Sequence, residues 1–400
     1  MVQRALACVR GHTDPLPSEH RFMSDQDYMN RALALARSVM FSTSPNPRVG
    51  CLIVNQDQIL GEGATQPPGG PHAEVCAIRD AQAKGHVLAG STFYVTLEPC
   101  SHYGRTPPCV DALLEAKPAR VVIAARDPNP LVSGAGIGKL QDAGITVEIG
   151  LGLEQALEIN PGFVSRMSIQ RPWIRMKIAS SLDGKVALNN GRSQWITGGQ
   201  ARADGHYWRA RACVILTGSG TVRDDDPQLT VRDVPTPRQP IRAVIDSQFA
   251  IDENARLFDG NPVWIFVTEY NVAKAERLAA RNVRVITINE KNNHVDLKAV
   301  MAWLGQQDIN EVHVEAGPGL NGALLQAGCV DELLVYLAPT ILGDARSAVA
   351  HTPFNVLADA YRFEFFDTAA CGKDVRLRAR LQTRWNQLQL QSGGIKPDME

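Results

Sequence analysis

Short apolar runs alternate with segments of helical period along almost the whole chain, and that alternation restricts the fold more than any other feature. Strand-length runs separated by helices imply sheets covered by helices, an α/β class of structure. The pattern runs through the chain twice. The first series opens on Ser24, with Asp27 three places on, a capping-box pair ahead of Tyr28, Met29, Ala32, Leu33, Leu35, Ala36, Val39 and Met40 at helical spacing. Strands are expected at Val49–Val54, Ile59–Gly63, Thr92–Leu97, Arg120–Ala125 and Thr146–Gly150. Helices are expected from Pro71 to Gly85, with Pro71 in the first helical position, from Pro108 to Lys117, and near Lys139.

The second series begins after the turn-like Gln170-Arg171-Pro172. Strands fit Trp173–Ser180, Cys213–Thr217, Arg242–Asp246, Val263–Thr268, Val283–Ile288, Glu311–Glu315 and Glu332–Ala338, and helices fit Gln200–Arg211, Val272–Arg281, Leu297–Gln306 and Leu320–Ala327. Residues 1–22 show no periodicity and read as an extension; residues 386–400 read as a tail. The expected division is therefore 23–168 and 172–385, within the two to three domains of roughly 150 residues that 400 residues allow.

Charge narrows the partners. Lys plus Arg at 41 against Asp plus Glu at 42 gives a net charge of -1, which argues against a chain that lives on nucleic-acid phosphates. No run of about 18 apolar residues offers a membrane span, and Ala5–Val9 is too short for a signal-peptide core. A cytoplasmic protein is expected. Its eight cysteines (Cys8, Cys51, Cys76, Cys100, Cys109, Cys213, Cys329 and Cys371) then read as reduced thiols or metal ligands.

One constellation in the first series carries chemistry. His72-Ala73-Glu74 opens a helix, Pro99-Cys100 follows a strand, and Cys109 comes nine places later. One imidazole and two thiolates are three protein ligands, the number that leaves a tetrahedral zinc one open position. Water there has its pKa drawn toward about 7 and reacts as hydroxide at neutral pH. Glu74, at the helix start, can lean over that position and move protons. The pattern is the zinc-deaminase signature with a wider gap between the cysteines. Cys76 offers a competing reading: one turn beyond His72, it could be a fourth ligand and close the site into a structural one.

The stretch Pro99-Cys100-Ser101-His102-Tyr103-Gly104-Arg105-Thr106-Pro107-Pro108-Cys109 resembles the zinc loop of the bacterial bifunctional riboflavin-biosynthesis deaminase/reductase family. Pro45-Asn46-Pro47-Arg48-Val49-Gly50 resembles that family's N-terminal motif, and the likeness extends over residues 23–380. The resemblance implies an N-terminal cytidine-deaminase-like three-layer domain and a C-terminal dihydrofolate-reductase-like α/β domain. It implies zinc-hydroxide deamination of 2,5-diamino-6-ribosylamino-4(3H)-pyrimidinone 5′-phosphate, with His72, Cys100 and Cys109 on one Zn2+ and Glu74 as the proton carrier. It places Asn46 on the pyrimidine or its ribose; by itself, Asn46 between two prolines reads equally as a turn former.

In the second series Gly317-Pro318-Gly319-Leu320-Asn321-Gly322 formally fits G-x-G-x-x-G. Its late position, Pro318 and the lack of an acidic residue about 20 places on exclude a Rossmann turn, but not a phosphate-binding helix start. Lys177–Gly184, Ser193–Thr197, Thr217–Arg232, Val244–Ser247 and Val314–Pro318 resemble the family's reductase domain, with Ala316 where many members have glycine. That resemblance implies NADPH, held by Ala179, Trp195, Thr221, Asp225, Ser247, Gly317, Pro318, Gly319, Leu320, Asn321, Gly322 and Ala323. It places the ribotide on Ser193, Arg209, Leu229, Arg232 and Glu315, and implies reduction of the ribosyl group of 5-amino-6-(5-phosphoribosylamino)uracil to ribityl. The residue types suit the task, since arginines offer planar forks to a phosphate and Trp195 a flat wall to a nicotinamide. Singly, Trp195 would serve as a core residue, the arginines as solvated surface, Glu315 as a helix cap and Asp225 as a turn former. The implied partners are a small pyrimidine ribotide and further copies of the chain, as a homodimer or higher homo-oligomer, with no nucleic acid or membrane. Two other readings stay open: an RNA base deaminase with a C-terminal binding module, and a structural zinc domain fused to a nucleotide sensor.

Overall fold

The computed structural model describes residues 23–103, 107–129 and 132–394. The expected extension over 1–22 lies outside them, as do Gly104, Arg105 and Thr106 of the zinc loop.

Helix α1 (Asp25–Ser38) starts on the expected capping box: the Ser24 side chain accepts from the Asp27 backbone N–H, and the Asp27 carboxylate accepts from that of Ser24. Strands β1 (Gly50–Asn55) and β2 (Gln58–Ala64) form a hairpin, followed by α2 (Ala73–Ala83), β3 (Thr92–Val95), α3 (Cys109–Ala116), β4 (Arg120–Ile123), α4 (Ala135–Asp142) and β5 (Thr146–Ile149). The sheet order is β2-β1-β3-β4-β5, antiparallel through β3 and parallel beyond it.

Register explains the three layers. Gly50 pairs with Ala64, so Gly61 and Gly63 point to the opposite face from Gly50. A Cβ on Gly50 would stand 1.9 Å from the Ala32 carbonyl of α1, and one on Gly61 or Gly63 would strike the Ala77 or Ala73 carbonyl of α2 at 2.3 Å. Three glycines thus let one helix lie directly on each face of the hairpin. Contrary to expectation, α2 begins at Ala73 rather than Pro71: the Pro71 carbonyl accepts from Gln66 in the preceding turn, and His72 becomes the N-cap.

Helices α5 (Leu153–Ile159) and α6 (Pro161–Ile169), which the sequence pattern did not bring out, lead into the second half. There β6 (Trp173–Ser181), β7 (Lys185–Ala187), α7 (Gly199–Arg211), β8 (Val214–Gly218), α8 (Ser219–Asp225), β9 (Ile241–Ile245) and β10 (Val263–Val267) are followed by α9 (Val272–Ala279) and β11 (Val283–Thr287). A small hairpin of β12 (Glu290–Lys291) and β13 (His294–Val295) precedes α10 (Leu297–Gln306), β14 (Glu311–Val314), α11 (Pro318–Gln326) and β15 (Glu332–Ala338). The last described elements are β16 (Arg346–Ser347), β17 (Glu364–Cys371), β18 (Asp374–Arg380) and α12 (Gln382–Gln391). The large sheet runs β11-β10-β9-β8-β14-β6-β15-β18-β17, parallel except where β18 and β17 add an antiparallel edge.

The expected tail over 386–400 needs correction. Residues 386–391 continue α12, because Trp385 and Leu388 are buried in the core of the first half, where Trp385 meets the edge of Trp173 at 6.1 Å. A residue near the C-terminus therefore completes the N-terminal core. The halves also share buried charge: Arg48, ahead of β1, donates to Glu311 of β14 at 2.6 Å.

Candidate active sites

His72, Cys100 and Cys109 come from three elements, the N-cap of α2, the segment after β3 and the first residue of α3. Their donor atoms all lie within 4.8 Å of one another. His72 Nδ1 is 3.2 Å from Cys109 Sγ and 3.6 Å from Cys100 Sγ, and the Cys109 backbone N–H donates to Cys100 Sγ at 3.2 Å. The two thiols are hydrogen-bonded to each other. Hydrogen bonds from Cys109 and His72 hold Cys100 low, at about 4, while the same Cys100 bond and burial hold Cys109 high. One imidazole and two sulfurs, one already a thiolate, fit the donor set of a zinc centre with an open position. Cys76 does not join them: its thiol is directed at the Pro71 carbonyl at 3.9 Å, and among the described residues the cluster has no fourth protein ligand.

Glu74 sits in the first turn of α2, buried, in hydrogen-bond contact with Cys109. Burial pushes its carboxyl up to about 7, and the Cys100 charge adds to the shift. A carboxyl poised near neutrality beside an open metal position can take a proton and return it. Behind the cluster, buried Glu98 accepts from the backbone N–H groups of Asp127, Gly134 and Ile137, tying the loop after β4 and the start of α4 to the zinc loop. Asp127, also buried there, is pushed up to about 7 by desolvation. Neither acid stood out in the sequence, where each reads as a turn or strand-end residue. Asn46 lies half-buried in a turn whose backbone N–H donates to Thr43, and its side chain has no hydrogen-bond partner among the described residues.

The candidate reductase residues gather at the carboxyl ends of β6, β8, β9 and β14, where parallel sheets bind ligands. A cleft of about 810 Å³ runs between Gly218–Gly220, Asp246–Ser247, the β12–β13 hairpin and Gly319, Leu320 and Ala323 of α11. The Gly317 backbone N–H donates to Thr221 Oγ1 at 3.1 Å, and the Val295 N–H to Ser247 Oγ at 3.1 Å, so both residues hold the cleft walls. The glycines divide the work. A Cβ on Gly319 would meet nothing within 4 Å, leaving the turn open to a ligand, whereas one on Gly322 would strike the Ala350 carbonyl at 1.8 Å. Asn321, buried, donates to the Ala316 and Ala348 carbonyls instead of facing the cleft. A cleft of this size with a glycine-opened helix start fits an extended dinucleotide.

Across the sheet end, Arg209 directs its fork at Glu315, with Nε at 2.5 Å and Nη2 at 2.9 Å, and its Nη1 donates to the Thr230 carbonyl. The expectation of two free forks is thus modified: Arg232 is exposed, while Arg209 is already paired. Lys177 Nζ at 3.7 Å and His313 Nε2 at 3.4 Å also flank Glu315. Both were overlooked, although Glu311 and His313 of β14, with Glu315 one residue past its end, recur at every second position and mark one face. Ser193 Oγ and Asp225 Oδ1 are 3.4 Å apart, and Leu229 is buried at a φ of 52°. Trp195 is 71% exposed with the Arg202 guanidinium 4.5 Å above its ring, which excludes a core role. Ala179 lies on β6, half-buried.

Residues 23–125 match the cytidine and deoxycytidylate deaminase zinc-binding region, and residues 172–377 match the RibD C-terminal domain. The riboflavin biosynthesis protein RibD of Escherichia coli is 48% identical over 369 residues, covering 89% of this chain and 99% of its own. The chain belongs to the RibD family. RibD of Bacillus amyloliquefaciens is 41% identical over 89% of this chain and 96% of its own. Among solved structures, Acinetobacter baumannii RibD superposes with a TM-score of 0.82 at 42% identity, covering 89% of this chain and 98% of that one. The Thermotoga maritima diaminohydroxyphosphoribosylaminopyrimidine deaminase/5-amino-6-(5-phosphoribosylamino)uracil reductase superposes with a TM-score of 0.78 at 31% identity, covering 89% of this chain and 98% of that one. As in other RibD proteins, a cytidine-deaminase-like domain is followed by a reductase domain, and the chain is a bifunctional deaminase and reductase of riboflavin biosynthesis. No helix among the described residues is long and apolar enough to cross a membrane.

Proposed function

We propose that the first half deaminates 2,5-diamino-6-ribosylamino-4(3H)-pyrimidinone 5′-phosphate and that the second half reduces the ribosyl group of the product to ribityl with NADPH. The observation that carries the reading is the convergence of His72, Cys100 and Cys109, with buried Glu74 against them. Zinc, when bound by those three, supplies an activated water. Glu74, buried against the cluster, would serve as the proton carrier, accepting a proton and passing it to a ring nitrogen of the pyrimidine. The same carboxyl would then take the remaining proton of the added hydroxyl, as the carbonyl forms, and pass it to the amine, which leaves as ammonia. Asn46, whose side chain has no hydrogen-bond partner among the described residues, hydrogen-bonds the pyrimidine or its ribose.

In the second half the dinucleotide lies along the cleft, with its phosphates at the Gly317–Ala323 turn and contacts to Ala179, Trp195, Thr221, Asp225 and Ser247. NADPH, when bound, supplies the hydride for the anomeric carbon of the opened ribose. Arg223, Lys291 and Lys298 line the same cleft, and their charge supports a cofactor with the additional phosphate over NADH. Ser193, Leu229, Arg232 and the Arg209–Glu315 pair hold the ribotide. The edge strand β17, with Phe365 69% exposed, supports a homodimer or higher assembly through the reductase half. Small charged substrates and a nicotinamide cofactor support a cytoplasmic enzyme.

The test is NADPH oxidation by the zinc-loaded chain given the diaminopyrimidine ribotide. Glu74→Gln abolishes it, and supplying the deaminated ribotide restores it. Failure of that rescue would refute the order of the two steps.

A further inference from the structure

The last turn of α7 carries two arginines, and each is tied to a different carboxylate on one face of β14. Arg209 forks onto Glu315, and Arg211 Nε donates to Glu311 at 2.7 Å. Four residue steps of extended chain separate those carboxylates, on the order of 13 Å. The helix end that presents Arg209 is therefore held at two points.

The second point is shared with the deaminase half. Glu311 is wholly buried and also accepts from Arg48 Nη1 at 2.6 Å and Arg175 Nη1 at 3.0 Å. Arg48 stands two residues from Asn46. Its remaining donors reach the Met40 carbonyl from Nε, the Ile159 carbonyl from Nη1 and the Arg211 carbonyl from Nη2, the last at 3.2 Å. It thus touches both Arg211 and the carboxylate that holds Arg211. Trp208 of α7 closes the network, with Arg175 and Arg378 each 4.5 Å from its ring.

We propose that Arg48 is a positioning residue of the reductase reaction: from the deaminase half it fixes, through Glu311 and Arg211, the helix end that sets Arg209 against Glu315. The inference rests on the placement of the ribotide at Arg209 and Glu315 given above. Without Arg48, Glu311 loses one of the three cations that fix it and the Arg211 carbonyl loses its donor, so the second anchor of the α7 end, through Arg211, slackens and the ribotide site loosens. The candidate NADPH contacts lie on other elements and keep their positions.

The experiment measures initial reduction rates of the zinc-loaded full chain over ranges of deaminated ribotide and of NADPH. R48M is expected to raise KM for the ribotide about tenfold, below the loss of about 10²-fold that a full 1 Å misplacement can cause. Its KM for NADPH is expected to stay within about twofold of wild type. R48K, which keeps a cation beside Glu311, recovers part of the loss. R380M cuts a different junction pair, Arg380 to Glu154 at 2.7 Å, and leaves the ribotide KM unchanged. R211K tests the same link where R48M does not fold, and it raises the same KM. Equal KM rises in R48M and R380M, or wild-type values in R48M and R211K, overturn the proposal. R209K separates the two readings: a wild-type KM there removes the ribotide placement, whereas a raised KM in R209K beside an unchanged one in R48M removes only the role of Arg48.

Discussion

Arg48 and Glu311 are 263 positions apart in the chain and form a buried ion pair at 2.6 Å, so the two catalytic halves meet through a charge contact inside the protein. Arg175 and Arg211 share the same carboxylate. Their field holds Glu311 well below the usual carboxylate range despite the opposing cost of burial.

Replacing Glu311 by Gln leaves three guanidinium groups without their common anion, and is expected to destabilise the chain by about 3–5 kcal/mol. A depressed pKa gives stability that is present above the unfolded value, about 4.3, and is lost as pH falls toward the folded one. The difference between wild type and variant therefore narrows below about pH 4, which thermal unfolding across pH reads directly.

The metal centre makes an equally specific prediction. His72→Ala, Cys100→Ala and Cys109→Ala lose zinc, whereas Cys76→Ala keeps it, because the Cys76 thiol is outside the cluster. Glu74→Gln retains the metal but loses deaminase rate by about 10²–10⁴-fold, with reduction of deaminated ribotide unchanged. Metal content by elemental analysis, taken with the two activities, checks both statements.

Gly319→Ala and Gly322→Ala should part company. The new methyl at 322 collides with the Ala350 backbone, so stability falls; at 319 it enters open space in the cleft, so the melting temperature holds while KM for NADPH rises. Calorimetry beside cofactor titration separates the two.

Trp385 is 1% exposed although it lies fifteen residues before the last residue, Glu400. Trp385→Ala is expected to cost about 3–5 kcal/mol, and its unfolding transition should involve the deaminase core. A loss confined to the reductase domain would contradict the docking of α12.

The alternation of strands and helices, and the motif whose His72, Cys100, Cys109 and Glu74 the fold brings together, were legible because each is a local pattern. The C-terminal elements were not. In α12 only Trp385 and Leu388 face the core among glutamines, which resembles a solvated tail. In β18, Arg376, Arg378 and Arg380 alternate like an exposed edge, yet Asp204, Glu158 and Glu154 meet them from far away in sequence. Long-range charge pairing leaves no periodic trace. For the same reason the Arg209–Glu315 and Arg48–Glu311 pairs had to be seen in three dimensions.

The most direct test of the whole account is product mass spectrometry on the zinc-loaded chain given the diaminopyrimidine ribotide, with and without NADPH. The account predicts a deaminated ribosyl product without NADPH and a deaminated ribityl product with it. An intact ribotide despite bound zinc, or a product that NADPH leaves unreduced, would contradict it.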